Sequence, residues 1–419
     1  MNNLKLTKWL KNQKKIQKLD VKKIKLESLE NWHLKKKEIY HKSKKFFRII
    51  GVRIKSNFYK KTWDQPLIFQ NEVGILGIIK NLKTKKYLLQ AKVEPGNINK
   101  IQISPSVQAT KSNYTGIHGG KSIPYLKYFT KQNKNFSLQS EQAFRYFNKF
   151  NSNIISLVAN KLKLERSFRW FSKREIIFLL NKKNLINMDT LSVFSCFIKK
   201  NKKDVPLNNS KYVTKWSSYL NSRFYLKSEI INISSLKNWI MTKKKLTHFK
   251  NNFFSVIGIK VSTNNREVNE WSQPIIQGSK LAFAGFLRKE FKNTKHYLCR
   301  YVLKPGSKTN TFSCTVNTSK LLNFKNNRNL TSFQKRLISN YFMKKKNIIY
   351  NNILSDEGGR FYHSQIKYTA YELSEDENID LPFNYIWLST NQVIDLIKKR
   401  KIDIEARLLF AILNFEGIN

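Results

Sequence analysis

The chain has 419 residues and carries 79 Lys and Arg against 27 Asp and Glu, a formal net charge of +52. Hydrophobic residues make up 41% and aromatic residues 13%, enough for buried cores, and the length suits about two or three domains. No run of about 18 apolar residues occurs, so a transmembrane helix is not expected, and the Met1–Lys15 stretch lacks the apolar core of a secretory signal.

The first 45 residues are Lys-rich, punctuated by Leu4, Leu6, Trp9, Leu10, Ile16, Leu19, Ile24 and Leu29, a pattern that predicts one or two amphipathic helices. Strands are predicted at Phe46 to Ile54, Leu67–Ile68, Gly74–Ile79 and Tyr87–Val93, where β-branched and aromatic residues concentrate. Pro95 to Gly120 is rich in Gly, Pro, Asn, Ser and Thr and reads as a long functional loop. Gln139 to Phe150 reads as strand and turn. Ser172-Lys173-Arg174-Glu175 is a capping box ahead of Ile176, Ile177, Leu179 and Leu180, so a helix starts there. Lys199 to Asn209 is a polar linker with one proline. Residues 323–352 read as a long, mobile, Asn- and Lys-rich insertion. Ser389-Thr390-Asn391-Gln392 precedes a last helical pattern.

An internal repeat organises these elements. Phe46-Phe47, Gly51 and Trp63-Asp64-Gln65-Pro66 return as Phe253-Phe254, Gly258 and Trp271-Ser272-Gln273-Pro274, and Leu29-Glu30-Asn31-Trp32 returns as Leu236-Lys237-Asn238-Trp239. The offsets, 239 − 32 and 258 − 51, are both 207, and 271 − 63 is 208. A period this long predicts duplicated domains rather than a solenoid, with boundaries at 1–203 and 204–419.

The positive charge is spread along the chain and accompanies abundant Lys and Asn with few Gly (14) and Pro (8), a composition that AT-rich codons favour. Zinc-finger spacing, an RNP motif and a recognition helix are all missing from the sequence. Nucleic-acid binding is therefore only an alternative, resting on charge alone. Cys196, Cys299 and Cys314 have no metal-binding spacing and read as reduced thiols of a cytoplasmic protein.

Chemistry-bearing residues cluster in two places. The first holds Glu94-Pro95-Gly96-Asn97, then Gln108-Ala109-Thr110-Lys111-Ser112-Asn113-Tyr114, His118, and Gln139-Ser140-Glu141-Gln142. The second is Asp356-Glu357-Gly358-Gly359-Arg360-Phe361-Tyr362-His363. Such polar, aromatic and short side chains suit recognition of a small polar ligand.

These strings, with the paired Trp-x-Gln-Pro segments, resemble the NDP-hexose 2,3-dehydratase family in order along nearly the whole chain. The resemblance implies an α+β fold of two tandem, duplicated Nudix-like domains, a homodimer, no cofactor and no membrane. The pyrophosphatase sequence box of Nudix enzymes is absent, so metal-dependent pyrophosphate hydrolysis is not implied. It implies a lyase that acts on dTDP-4-keto-6-deoxyglucose or a similar NDP-sugar in deoxysugar biosynthesis. A base takes the proton from sugar carbon 3, acidified by the ketone at carbon 4, and the carbon 2 hydroxyl leaves with help from an acid. The product would pass to a 3-ketoreductase. A degenerate member that binds the sugar nucleotide without turning it over is the alternative within the family.

On this reading Glu94, Glu141, Glu357 and His363 are candidate acids and bases. Gln108, Thr110, Asn113, Tyr114, His118 and Gln139 are candidate substrate binders. Lys111 and Arg360 suit phosphate oxygens, and Trp63, Trp271, Tyr114 and Tyr362 suit stacking. Blander roles stay open: Glu94 as a turn former, His363 and the two Trp residues as core, Arg360 in an internal ion pair, Cys196 and Cys314 as buried thiols. The two halves have also diverged. Lys304-Pro305-Gly306 stands where the first half has Glu94-Pro95-Gly96, the family's Arg-rich segment reads Phe150-Asn151-Ser152-Asn153, and Ala143 replaces a usual glycine. The stronger catalytic expectation falls on the first half.

Overall fold

The computed structural model describes residues 2–111, 122–130, 136–250, 253–264, 268–278 and 281–418. It is a mixed α+β structure with four sheets. Among the described residues no helix is long and apolar enough to cross a membrane.

The elements run in nearly the same order twice. A helix (Asn2–Ile16, then Ser210–Arg223) leads into a strand (Leu19–Ile24, then Leu226–Ile231), a one-turn helix and two short strands. A long hairpin follows: Arg48–Ser56 with Lys61–Phe69, then Ser255–Thr263 with Glu270–Gln277. Gly51 faces Pro66 in the first hairpin and Gly258 faces Pro274 in the second. Each hairpin belongs to a six-stranded sheet, and a seven-stranded sheet lies beyond it in sequence. Two helices close each half: Lys173–Leu180 and Met188–Ser195, then Thr390–Lys398 and Ile404–Leu413.

The two halves exchange a strand. Leu19–Ile24 pairs antiparallel with Ser255–Thr263, and Leu226–Ile231 pairs antiparallel with Arg48–Ser56. The repeated glycine is explained by this crossing. A Cβ on Gly51 would stand 2.8 Å from the carbonyl oxygen of Ile231, and one on Gly258 would stand 3.0 Å from that of Ile24. Glycine keeps the hairpin flat where the exchanged strand bends away.

The repeated tryptophans and glutamines stitch the same junction. Trp32 donates its indole N–H to the Ser272 carbonyl (2.9 Å), and Trp239 donates to that of Asp64 (2.7 Å). Within the Trp-x-Gln-Pro motif the two side chains share a strand face, two residues apart. Trp63 donates to Gln65 (2.9 Å), whose amide donates to the Phe144 carbonyl (3.0 Å). Trp271 likewise holds Gln273 (2.8 Å), which donates to the Gly359 carbonyl (2.8 Å). The motif is thus a clamp on the loop that follows Glu141 or Glu357.

The largest apolar core also spans both halves. It joins Leu76, Leu89, Ile103, Leu179 and Phe194 to Phe286, Tyr297, Phe312, Ile386, Leu409 and Phe410.

Three local expectations need correction. Only Asn2–Ile16 of the first 45 residues is α-helical, because the next apolar residues, from Leu19 onward, join sheets of both halves. The stretch after Pro95 contains two strands, Ile101–Ser104 and Val107–Ala109, which pair with strands already present. The insertion at 323–352 is packed rather than loose. Leu330, Phe333, Leu337, Ile338 and Phe342 are buried against Phe283, Leu298 and Trp387, and Thr331 with Gln334 forms a capping box at the start of its helix. The two capping boxes read from sequence, at Ser172 and Ser389, are present.

Two glycine turns lock the halves together. The amide of Gly96 donates to the Gly358 carbonyl (2.7 Å), and Gly306 donates to that of Ala143 (2.7 Å). A Cβ on Gly96 would overlap the Phe361 carbonyl oxygen, and one on Gly306 would overlap that of Tyr146. Gly96→Ala and Gly306→Ala are each expected to destabilise the protein by about 2 kcal/mol or more, as backbone has to shift to relieve the overlap. Chemical denaturation of the purified variants checks this; a loss below about 0.5 kcal/mol at either site would show that the turn yields freely.

Candidate active site

A cavity of about 420 Å³ opens where the Glu94 turn meets the Glu357 loop. Its walls come from both halves. The first half supplies Trp32, His41, Phe46, Phe47, Lys92, Glu94, Gln108, Thr110, Glu141, Tyr146, Lys149 and Asp189, and the second supplies Trp271, Gln273, Glu357 and Arg360. Among the described residues it is lined by six acidic side chains (Glu30, Glu94, Glu141, Asp189, Glu270, Glu357) and three of Lys or Arg (Lys92, Lys149, Arg360). The chain-wide positive charge is therefore not what shapes this site.

Each side chain is held by its local structure. Lys92 lies one residue before the end of the Tyr87–Val93 strand, and its ammonium contacts Glu94 (3.2 Å) and donates to Gln108 Oε1 (2.9 Å). Gln108, on the Val107–Ala109 strand, donates in turn to Asp189 Oδ2 (2.6 Å). Asp189 sits in the first turn of the Met188–Ser195 helix, where Asn187 caps its amide (2.8 Å). Glu141 accepts from Asn151 Nδ2 (2.6 Å). Glu357 accepts from the Gly359 amide (2.8 Å) and from the Tyr146 hydroxyl (3.3 Å). The Arg360 guanidinium lies over Phe47, 4.1 Å from the ring centre.

Burial among like charges raises the proton affinity of this cluster. Desolvation, reinforced by Glu94, pushes Glu357 up to about 7. Desolvation pushes Asp189 well above the usual carboxylate range, and the neighbouring Glu141, Glu357 and Glu94 add to it. Glu141 is raised by burial, against the pull of Arg407 and Lys149. Lys149 is lowered to about 8 because burial outweighs the attraction of Glu141. Tyr146 is pushed far up by burial and then by Glu357, so it stays a donor. A site of this kind holds protons that carboxyl groups in water would release.

The cavity gathers Glu94, Glu141, Glu357, Gln108, Thr110, Trp271 and Arg360 from the residues singled out in the sequence. Others lie elsewhere. His363 is exposed, has a positive φ of 50° and stacks on Tyr362. It is neither a core histidine nor a cavity wall, since it closes the turn by donating its amide to the Gly96 carbonyl (3.0 Å). Tyr362 packs against the apolar face of the second hairpin, beneath Lys23. Gln139 is buried and donates to the Ile397 carbonyl (2.8 Å). Trp63 packs beside Ile54 and Leu67, and Lys111 is exposed beyond the cavity wall. Asn113, Tyr114 and His118 lie outside the described residues.

Sequence reasoning missed Lys92, Tyr146, Lys149 and Asp189. Lys92 stands two residues before Glu94, and Tyr146 and Lys149 follow Glu141 closely, so adjacency was a usable signal. Asp189 has no such neighbour, and an acidic residue in the first turn of a helix is ordinary.

The corresponding place in the second half is filled. Lys304, at the position of Glu94, is buried and contacts Asp403 (2.7 Å) and Glu405 (3.1 Å) at the start of the Ile404–Leu413 helix. Its ammonium also lies over the Phe144 ring. Arg145 stands over Phe254 (4.3 Å) as Arg360 does over Phe47. The scaffold is repeated, but the residues that line the Glu94 cavity are not.

The raised affinity of Glu357 has a consequence for stability. Below the ordinary carboxylate range both folded and unfolded states hold the proton, so the group contributes nothing. As pH rises toward about 7 the unfolded state ionises first, and the folded state loses relative stability. Glu357→Gln removes that penalty. The variant is expected to melt a few degrees above the parent at pH 8, with the gap closing toward pH 5; an equal difference at both pH values would contradict the assignment.

Comparison with known proteins supplies the relationship. Residues 3–197 and 210–413 both match the NDP-hexose 2,3-dehydratase family. The dTDP-4-dehydro-6-deoxy-alpha-D-glucopyranose 2,3-dehydratase of Saccharopolyspora spinosa is 29% identical over 439 aligned residues, covering 97% of this chain and 90% of that protein. The enzyme of the same name from Streptomyces violaceoruber is 30% identical, covering 92% of this chain and 91% of that protein. Among solved structures, a C. elegans Ap4A hydrolase (13% identity, 32% of this chain and 97% of that one) and an ADP compounds hydrolase (13%, 39% and 85%) align with TM-scores of 0.21 and 0.25, too low to argue from. With both halves matched and the motifs in place, the chain belongs to the NDP-hexose 2,3-dehydratase family.

Proposed function

We propose that the protein removes water from dTDP-4-keto-6-deoxyglucose across sugar carbons 2 and 3. The observation that carries this is the cluster of four carboxyl groups, Glu94, Glu141, Asp189 and Glu357, around one cavity in a chain of this family. The ketone at carbon 4 acidifies the hydrogen on carbon 3. Glu357, poised near neutrality, accepts that proton. Negative charge then builds on the carbon 4 oxygen, for which the Lys149 ammonium and the Tyr146 hydroxyl are donors on the cavity wall. Reforming the ketone expels the carbon 2 hydroxyl, which needs a proton from a neutral carboxyl on the wall. The enol so formed tautomerises to the 3,4-diketo-2,6-dideoxy sugar. Nothing is oxidised or reduced overall, so this scheme requires no redox cofactor.

The rest of the cavity suits the remainder of the substrate. Trp32, Phe46, Phe47 and Trp271 form an aromatic wall on which a nucleobase can stack, and Arg360 beside Phe47 is a fork for phosphate oxygens. Gln108 and Thr110 can reach sugar hydroxyls from the floor. We further infer that residues 1–203 and 204–419 are two copies of one Nudix-like unit, a reading supported by the resemblance and by the repeated element order. The homodimer and a 3-ketoreductase acting next rest on the resemblance alone, and the cytoplasmic location on the cysteine pattern.

Incubation with dTDP-4-keto-6-deoxyglucose, a 3-ketoreductase and NADPH is expected to give a 2-deoxygenated sugar nucleotide. Absence of that product at high enzyme concentration would overturn the reading. With Glu357 as base, kcat/KM is expected to rise as pH increases through about 7, and Glu357→Gln to lower kcat by about 100-fold or more. A profile that does not change between pH 6 and 8 would remove Glu357 from that role.

A further inference from the structure

We propose that Asp189 is a catalytic residue, the proton donor to the hydroxyl that leaves sugar carbon 2, an assignment that rests on the dehydratase reading above. Asp189 lines the cavity, yet only 3% of its surface is exposed. Its Oδ2 accepts the short bond from Gln108 (2.6 Å), and Gln108 is itself fixed by Lys92 (2.9 Å). The cation nearest along this path is therefore one side chain away, and it is already in contact with Glu94. Glu141, Glu357 and Glu94 all act on Asp189 in the sense that favours its neutral form. A carboxyl that accepts through one oxygen and stays protonated has its other oxygen available to donate.

The second half supplies an internal control. Asn187-Met188-Asp189 begins one closing helix, and Asp403-Ile404-Glu405 begins the other. Burial pushes Glu405 up as well, but Lys304 sits directly against it and pulls the other way. Three exchanges separate the sites. The loop position is Lys304 in one and Glu94 in the other, the cap is Asp403 or Asn187, and the wall residue is Glu405 or Asp189. The outcome is an ion-paired carboxylate in one half against, in the other, a cavity-wall acid that Lys92 pulls on without forming an ion pair among the described residues.

The step balances. The bond from carbon 3 to hydrogen breaks and its proton goes to Glu357. The enolate electron pair forms the bond between carbons 2 and 3 as the carbon–oxygen bond at carbon 2 breaks. The leaving hydroxyl takes the Asp189 proton and departs as water. Glu357 then delivers its proton to carbon 2 as the enol hydroxyl on carbon 3 loses its own to solvent, which leaves the ketone, and Asp189 is reprotonated from solvent.

The test uses a leaving group that needs no acid. The full-length protein, as Asp189→Asn, is given dTDP-4-keto-6-deoxyglucose and its 2-deoxy-2-fluoro analogue, from which fluoride departs unprotonated. Turnover of the hydroxyl substrate is expected to fall about 100-fold or more, and turnover of the fluoro analogue to stay within about fivefold of the parent. Exchange of the carbon 3 hydrogen in D₂O should continue in the variant. Equal slowing of both substrates, or no slowing of either, would overturn the assignment. Should Asp189→Asn fail to fold, Asp189→Glu is compared on the same pair, and the proposal requires hydroxyl turnover to suffer more than fluoride release. Failure of the parent protein to form any 2-deoxy product would instead count against the dehydratase reading.

Discussion

Everything in this molecule hangs on the reciprocal crossing of two strands. Leu19–Ile24 completes the second hairpin's sheet and Leu226–Ile231 completes the first. Neither six-stranded sheet is whole without a segment from the other half. The crossing requires glycine at 51 and 258, and it brings the tryptophan of each half within reach of the other's backbone. Once the halves are stitched this way, the Glu94 turn lands against the Glu357 loop. The cavity is thus a product of the crossing rather than a pocket inside one repeat.

A symmetric scaffold with asymmetric chemistry follows. Buried charges are costly unless paired, and breaking such a pair costs more than never having built it. The second half meets that constraint with Lys304 between Asp403 and Glu405. At the cavity, Glu94, Glu141 and Asp189 of the first half meet Glu357 of the second alongside Lys92, Lys149 and Arg360, and burial leaves protons on some of the carboxyls. That is unfavourable for stability and suited to acid–base work, a trade that active sites commonly make.

How much of this was legible in the sequence depends on how local each feature is. The capping boxes at Ser172 and Ser389 were readable because two residues three positions apart decide each of them. The Tyr87–Val93 strand was readable from composition. The Trp-x-Gln-Pro repeat was visible as a pattern, but its work was not, since Gln65 acts on Phe144 and Gln273 on Gly359. The strand exchange left no local trace: Leu19–Ile24 has mostly charged or half-exposed residues and looks helical beside its neighbours. Glu94, Glu141 and Glu357 were found through their strings. Asp189 was not, because nothing in Asn187-Met188-Asp189 distinguishes a helix start from a cavity wall until the fold brings Gln108 beside it.

The crossing also sets a clock. Val21 finds its partner at Val261, so 261 − 21, or 240, residues of further synthesis separate them. At about 5–20 residues per second that is a wait of roughly 12–48 s. Glu357 and the helix holding Arg407 emerge later still. During that interval the growing chain holds Glu94, Glu141 and Asp189 without the loop that closes over them, and so has no enclosed place in which to start the reaction. On the proposed assignment, a copy that stops short of Glu357 lacks the loop that completes the cavity.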